Sequence, residues 1–253
     1  MSRLRFAVLL PFAFILGCSN RVPTATVELI DTSLSITPRA EKAALHALQD
    51  QIDSMNRGDV LILIPITGDA ENDAGGRILR LRAPAARESY DADLRRYRDT
   101  ARTQFTGWVA SVGAERYRTD ILGTLDSARQ EIDSLPTNSN RHLVIVSDFL
   151  EDDDQYRFVS HPSLATPDRA RALAVRLRSQ HAFPVQGISL CLGRLESIDF
   201  PSLAPQRKRA VQAFWATYFA GQEHVPDIQI DGMGMLAGAD DTCFGQAGKD
   251  ARK

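Results

Sequence analysis

Val27-Glu28-Leu29-Ile30-Asp31-Thr32-Ser33-Leu34-Ser35 is the stretch from which the rest of this sequence is read. Its first half is too apolar for a solvent edge and reads as a buried strand, with Val27, Leu29 and Ile30 inside. Its second half is the turn leaving that strand, because Pro38 and Glu41-Lys42 open a helix just beyond. The turn carries an acid and two hydroxyls at every second position, Asp31-x-Ser33-x-Ser35. An acid and two hydroxyls where a buried strand meets a helix form an oxygen-only donor set, the kind that hard divalent cations such as Mg²⁺ take.

Outward from that stretch, strands and helices alternate. Pro38 to Met55 has helical spacing and stops at Asn56-Arg57-Gly58-Asp59. Val60 to Ile66 is apolar almost throughout, as strands covered on both faces are, and its Pro65 must lie where no ladder donor is needed. After a polar turn at 68–76, Arg77 to Arg82 alternates Leu79 and Leu81 with arginines. That suits a sheet edge, and so short a connection makes it antiparallel. Arg87 to Val112 is the longest helix, with the stripe Tyr90, Leu94, Tyr97, Ala101, Phe105, Trp108 and Val112 packed on the sheet. A second helix spans Arg118 to Leu135. His142 to Leu150 is the fourth strand, ending at Asp148 before the acidic run Glu151 to Asp154. A helix at 168–180, a strand at 184–192, a helix at 204–220 and a short strand at 227–231 follow.

The alternation predicts an α/β fold, a mostly parallel sheet with helices on both faces and strand 3 as an antiparallel edge, taken as a doubly wound six-stranded sheet if its order is 3-2-1-4-5-6. Residues 27–238 read as one domain and 239–253 as a loose tail. In that order the first and fourth strands are neighbours at the switch point, so Asp31 and Asp148 meet at one crevice.

Three separated pieces carry a family resemblance: Asp31-Thr32-Ser33-Leu34-Ser35 after the first strand, Thr119-Asp120-Ile121 opening a helix, and Ser147-Asp148 ending the fourth strand. In this order they resemble a von Willebrand factor type A (vWA) domain with its metal-ion-dependent adhesion site (MIDAS). The resemblance covers essentially residues 24 to 235. It implies that Ser33, Ser35 and Thr119 offer hydroxyl oxygens to Mg²⁺ or Mn²⁺, that Asp31 and Asp148 balance the charge, and that a partner protein's carboxylate completes the shell. Two departures stand out. Tyr117-Arg118 replaces the glycine pair often found before the threonine, and Phe149 replaces the glycine common after the aspartate. Thr124 is a fallback for Thr119, although it should point away from the crevice.

The first residues read as a signal peptide, residues 1–17: Arg3 and Arg5, then the apolar run Phe6 to Leu16, too short for an ordinary membrane span. Ile15-Leu16-Gly17-Cys18 resembles the lipobox of bacterial lipoproteins, which implies cleavage before Cys18 and its lipidation, with 18–26 as a linker. A plain secretory signal with an incidental cysteine is the other reading. Ser19, in place of aspartate, resembles lipoproteins sent to the outer membrane, which implies an envelope protein facing the periplasm. Cys191 and Cys243 then remain as an even pair in an oxidising compartment, free to form one disulfide or to stay as two thiols.

The rest of the sequence excludes more than it adds. A net charge of −2, with arginines spread among acids, leaves no footprint for nucleic acid. The five histidines show no zinc spacing, and there is neither a phosphate loop nor a nucleophile elbow. The acidic run 151–154 could hold Ca²⁺ or a basic surface, but lacks EF-hand spacing and reads first as a solvated loop. A strand ending in an acid also suggests a metal-dependent phosphatase of the haloacid-dehalogenase type. That chemistry needs a second aspartate where Ser33 stands. The expectation is therefore a binding protein and not an enzyme, with a metal-independent scaffolding lipoprotein as the alternative.

Overall fold

The computed structural model describes residues 21–68, 77–85, 91–112, 117–180 and 187–220. The first strand, β1 (Thr24–Asp31), is buried from its second residue onward. It starts ahead of Val27, because Ala25 pairs with both Val60 and Arg141, so the linker expected over 18–26 gives up its last three residues to the sheet. Helix α1 (Pro38–Ser54) follows, N-capped by Thr37, whose hydroxyl accepts from the Ala40 N–H, with proline in the first turn. Strands β2 (Val60–Ile66) and β3 (Leu79–Arg82) come next, then α2 (Asp91–Val112) and α3 (Ile121–Asp133). Strand β4 (Asn140–Ser147) leads through a 3₁₀ turn (Pro162–Leu164) to α4 (Pro167–Gln180). Strand β5 (Ser189–Arg194), the one-turn α5 (Asp199–Ser202) and α6 (Pro205–Tyr218) complete the described elements.

The sheet order is β3-β2-β1-β4-β5, parallel except for β3. This is the doubly wound arrangement expected, with five strands among the described residues. The sixth strand, at 227–231, and the tail 239–253 lie outside them, as do Tyr90 and the start of the strand expected at 184. Pro65 sits past Leu63, the last β2 residue paired with β3, so one side of β2 has no ladder to break there.

The alternation of side chains along β1 divides the interior into two cores. Ala25, Val27 and Leu29 pack with α3, α4 and α6. Ile30 points to the other face, with Leu48 and Ile52 of α1 and Ala101, Phe105, Trp108 and Val112 of α2. The aromatic stripe of α2 is therefore a packing face, and Trp108 Nε1 donates to the Arg77 carbonyl at 2.6 Å. On the first face Phe158, Phe214, Trp215 and Phe219 form a fully buried aromatic cluster. Glu28, on the same side of β1 as Ile30, is buried, and burial pushes its carboxyl up to about 8. Cys191 lies buried in β5 and is disulfide-bonded, while Cys18 and Cys243 lie outside the described residues. No helix among the described residues is long and apolar enough to cross a membrane.

Candidate metal centre

Asp31 is the last residue of β1, and Asp148 is the first residue beyond β4, the strand paired with β1. The parallel pairing brings both carboxylates to the same end of the sheet, and each is 1% exposed. Both shape their own exit loops in the same way. Asp31 Oδ1 accepts from the Ser33 N–H and Asp148 Oδ1 from the Leu150 N–H, each at 2.9 Å. These aspartate turns bend the chain away from the strand end while leaving the second oxygen for other work.

That second oxygen joins the two loops. Asp31 Oδ2 accepts from Ser147 Oγ at 2.7 Å. Asp148 Oδ2 accepts from Ser35 Oγ at 3.2 Å, and Ser35 Oγ lies 2.9 Å from Ser33 Oγ. Backbone bonds pin the first loop from outside: Ile198 N–H donates to Ser35 O at 2.7 Å, and Thr37 N–H to Glu196 O at 3.0 Å. Asp31, Ser33, Ser35 and Asp148 thus form one hydrogen-bonded set of hard oxygens, and four of the five residues expected from the sequence stand together.

The electrostatics of this set are those of a site short of positive charge. Burial pushes the Asp148 carboxyl up to about 7, and the neighbouring Asp31 charge pushes the same way. Hydrogen bonds from Leu150, Ser197 and Ser35 pull it back only in part. Two carboxylates in a desolvated crevice repel one another, and a divalent cation between them would remove both the repulsion and the desolvation cost. The donors present, two carboxylates and two hydroxyls, fit Mg²⁺ or Mn²⁺.

Thr119, the fifth expected residue, is buried, and its backbone pairs with Asp152 in the loop after Asp148. The Thr119 N–H donates to Asp152 O at 3.2 Å and the Asp152 N–H to Thr119 O at 2.8 Å. That bridge draws the start of α3 against the exit from β4. Asp120 is the N-cap of α3, so the helix begins two residues after Thr119. Thr124 donates its hydroxyl to the Asp120 carbonyl at 2.5 Å, which commits it to its own helix and removes it as a substitute ligand.

Phe149 adopts a left-handed backbone, φ 62°, the one non-glycine residue with positive φ among the described residues. The glycine conformation is therefore kept without the glycine. The neighbours secure it: the Phe149 ring is buried edge-on against Trp215 at 5.8 Å, and its carbonyl accepts from Trp215 Nε1 at 2.9 Å. Two further residues, Ser147 and Ser197, support the site. Ser147 appears in the quoted motif without a role, and holds Asp31. Ser197, from the loop after β5, is buried, hydrogen-bonds Asp148 and accepts the Phe200 N–H at 3.1 Å. Nothing in the local sequence at Ser197 marks it.

The fold is a doubly wound α/β domain, and it places the D-x-S-x-S loop and the aspartate after the fourth strand at the carboxyl ends of adjacent parallel strands. No family model and no curated protein matches the chain. Among solved structures it is similar to a von Willebrand factor type A protein from Catenulispora acidiphila, at 18% identity and TM-score 0.41, over 76% of this chain and 43% of that one. It is similar to BatB from Bacteroides thetaiotaomicron, at 15% identity and TM-score 0.35, over 68% of this chain and 65% of that one. It is also similar to an aerotolerance-related membrane protein from Bacteroides fragilis, at 12% identity and TM-score 0.38, over 78% and 88%. The chain spans less than two thirds of the first two.

Proposed function

We propose that this protein is an envelope-located binding domain that engages a partner protein through a divalent cation held by Asp31, Ser33, Ser35, Thr119 and Asp148. The observation that carries the reading is the Ser35–Asp148 hydrogen bond, which joins the D-x-S-x-S loop to the aspartate after β4 across 113 residues. Mg²⁺ or Mn²⁺ would supply a Lewis-acidic position for a carboxylate of the partner. The chain's own part is to hold the hydroxyls and carboxylates in place, to exclude water by burial and to keep a net charge low enough for one more anion to join. On this reading the protein binds and does not catalyse.

The same proposal anchors the mature chain to a bacterial membrane, most simply the outer membrane facing the periplasm, through lipid on Cys18, and pairs Cys191 with Cys243. Mass spectrometry of the membrane fraction tests both: a diacylglyceryl mass on the peptide beginning at Cys18, and a Cys191–Cys243 cross-linked peptide before reduction.

The deciding experiment is titration of the full chain with Mg²⁺ and Mn²⁺ by calorimetry, beside Asp31→Ala and Asp148→Ala. Saturable binding lost in both variants, with metal-dependent capture of a partner by the wild type, is the expected result. A partner complex that survives both substitutions and chelator would overturn the metal mechanism in favour of a metal-independent scaffold.

A further inference from the structure

A second group of acids lies along the loop after β4. Asp120, Glu151 and Asp153 each place a carboxylate oxygen within 4.8 Å of the other two. The Thr119–Asp152 backbone bridge assembles them, because Asp120 flanks one bridge residue while Glu151 and Asp153 flank the other. The Phe158 N–H, donating to Glu151 O at 2.9 Å, and the Asp120 N–H, donating to Thr67 O at 2.9 Å, tie the same loop and the start of α3 to their surroundings.

Asp120 and Asp153 have local work. Asp120 Oδ1 accepts the Gly123 N–H at 2.6 Å, capping α3, and Asp153 Oδ1 accepts the Gln155 N–H at 2.6 Å and the Tyr156 N–H. Glu151 is different. It is 0% exposed, its Oε2 accepts the Ile121 N–H at 3.1 Å, and no N–H or hydroxyl donor reaches its Oε1, which is left facing the acids of the cluster. A buried carboxylate oxygen without a donor costs free energy, and here two further acids surround it. Burial first, then the charges of Asp120 and Asp153, hold the Glu151 carboxyl well above the usual range; the Ile121 N–H pulls the other way, and when protonated the carboxyl shares its proton with Asp120. The arrangement lacks a positive charge at the point where the three oxygens converge.

We infer that Asp120, Glu151 and Asp153 form a second cation site, of the Ca²⁺ class, distinct from the Asp31–Asp148 crevice. Three carboxylates supply the high charge and oxygen-only shell that Ca²⁺ takes, and Ca–O distances of about 2.3–2.6 Å let opposite ligands stand about 4.6–5.2 Å apart, which accommodates the observed spacing. An ion there clamps the exit loop of β4 to the start of α3, the segments bearing Asp148 and Thr119. The site does not depend on the Mg²⁺ reading, since none of its three ligands belongs to the first set.

The test is calorimetric titration of the full chain with CaCl₂ in excess Mg²⁺, on the wild type, Asp153→Asn, Glu151→Gln and Asp31→Ala. Expected is one Ca²⁺ per chain with Kd about 10⁻⁵ to 10⁻³ M. Binding is weakened about tenfold or more by Asp153→Asn and by Glu151→Gln, and is unchanged by Asp31→Ala. If Glu151→Gln does not fold, Asp153→Asn, at a partly exposed residue, decides the matter. Absence of Ca²⁺ binding, with Glu151→Gln more stable than wild type, would mean that a shared proton does the cation's work and would overturn the proposal. Ca²⁺ binding abolished by Asp31→Ala but untouched by Asp153→Asn would place the ion in the first crevice and equally overturn it. Loss of Mg²⁺ binding in Asp31→Ala with Ca²⁺ binding retained would separate the two sites.

Discussion

Ser35 Oγ donates to Asp148 Oδ2 at 3.2 Å, although the two residues belong to different loops 113 positions apart. The bond exists because β1 and β4 are parallel neighbours whose carboxyl ends coincide. It makes Asp148 the point where the buried charge of both loops collects, and several expected outcomes follow from that.

Mg²⁺ affinity should rise with pH. The cation binds the ionised carboxylate, and Asp148, pushed up to about 7, is largely protonated at pH 6. Titrations at pH 6 and pH 8 check this, with tighter binding expected at pH 8. Asp148→Asn should lose Mg²⁺ binding yet raise the melting temperature of the metal-free protein at pH 8, because the repulsion with Asp31 is gone.

Ser147→Ala should destabilise the metal-free protein by about 1–3 kcal/mol, since it removes the donor to Asp31 Oδ2 and to no solvent-exposed group. Urea unfolding in the presence of EDTA measures it. Saturating Mg²⁺ should recover part of the loss by giving Asp31 a new partner.

Phe149 offers a sign test of backbone strain. Phe149→Ala loses the contact with Trp215 and keeps an unfavourable left-handed backbone. Phe149→Gly loses the same contact but relieves the strain. The glycine variant should therefore be the more stable of the two by about 1 kcal/mol, the reverse of the usual order. Equal or reversed unfolding midpoints would show that the φ of 62° carries no cost.

Glu28 sets a pH dependence of its own. Its folded carboxyl sits at about 8 against 4.5 for the unfolded chain. Between those values the folded protein holds a proton that the unfolded chain has released, so stability falls as pH rises from about 4.5 to about 8 and levels off above. The loss is on the order of a few kcal/mol. Glu28→Gln should flatten this part of the profile and be more stable than wild type at pH 8, as thermal melts across the range would show.

The strands and the helix stripes were legible in the amino-acid order because their periods are local. A run such as Val60 to Ile66 is buried on both faces whatever its neighbours, and Phe105, Trp108 and Val112 share a helix face through the 3.6-residue turn alone. The Asp31-x-Ser33-x-Ser35 loop and the antiparallel edge strand could be read in the same way, from residues in one turn and from a short connection, while the strand order depends on which strands meet in the folded sheet. The early start of β1 could not, since Thr24 joins the sheet only because Asn140 and the Asp59 carboxylate lie beside it.

Side-chain partnership belonged to the tertiary structure. Ser147 holding Asp31, Ser197 bonding Asp148, Phe149 in a left-handed turn secured by Trp215, and Glu151 buried beside Asp120 and Asp153 all join segments far apart in the chain. A residue's propensity describes what its own backbone prefers. Which carboxylate loses its water, and which donor replaces that water, is decided only when separate strand ends are brought to one crevice and solvent is excluded between them.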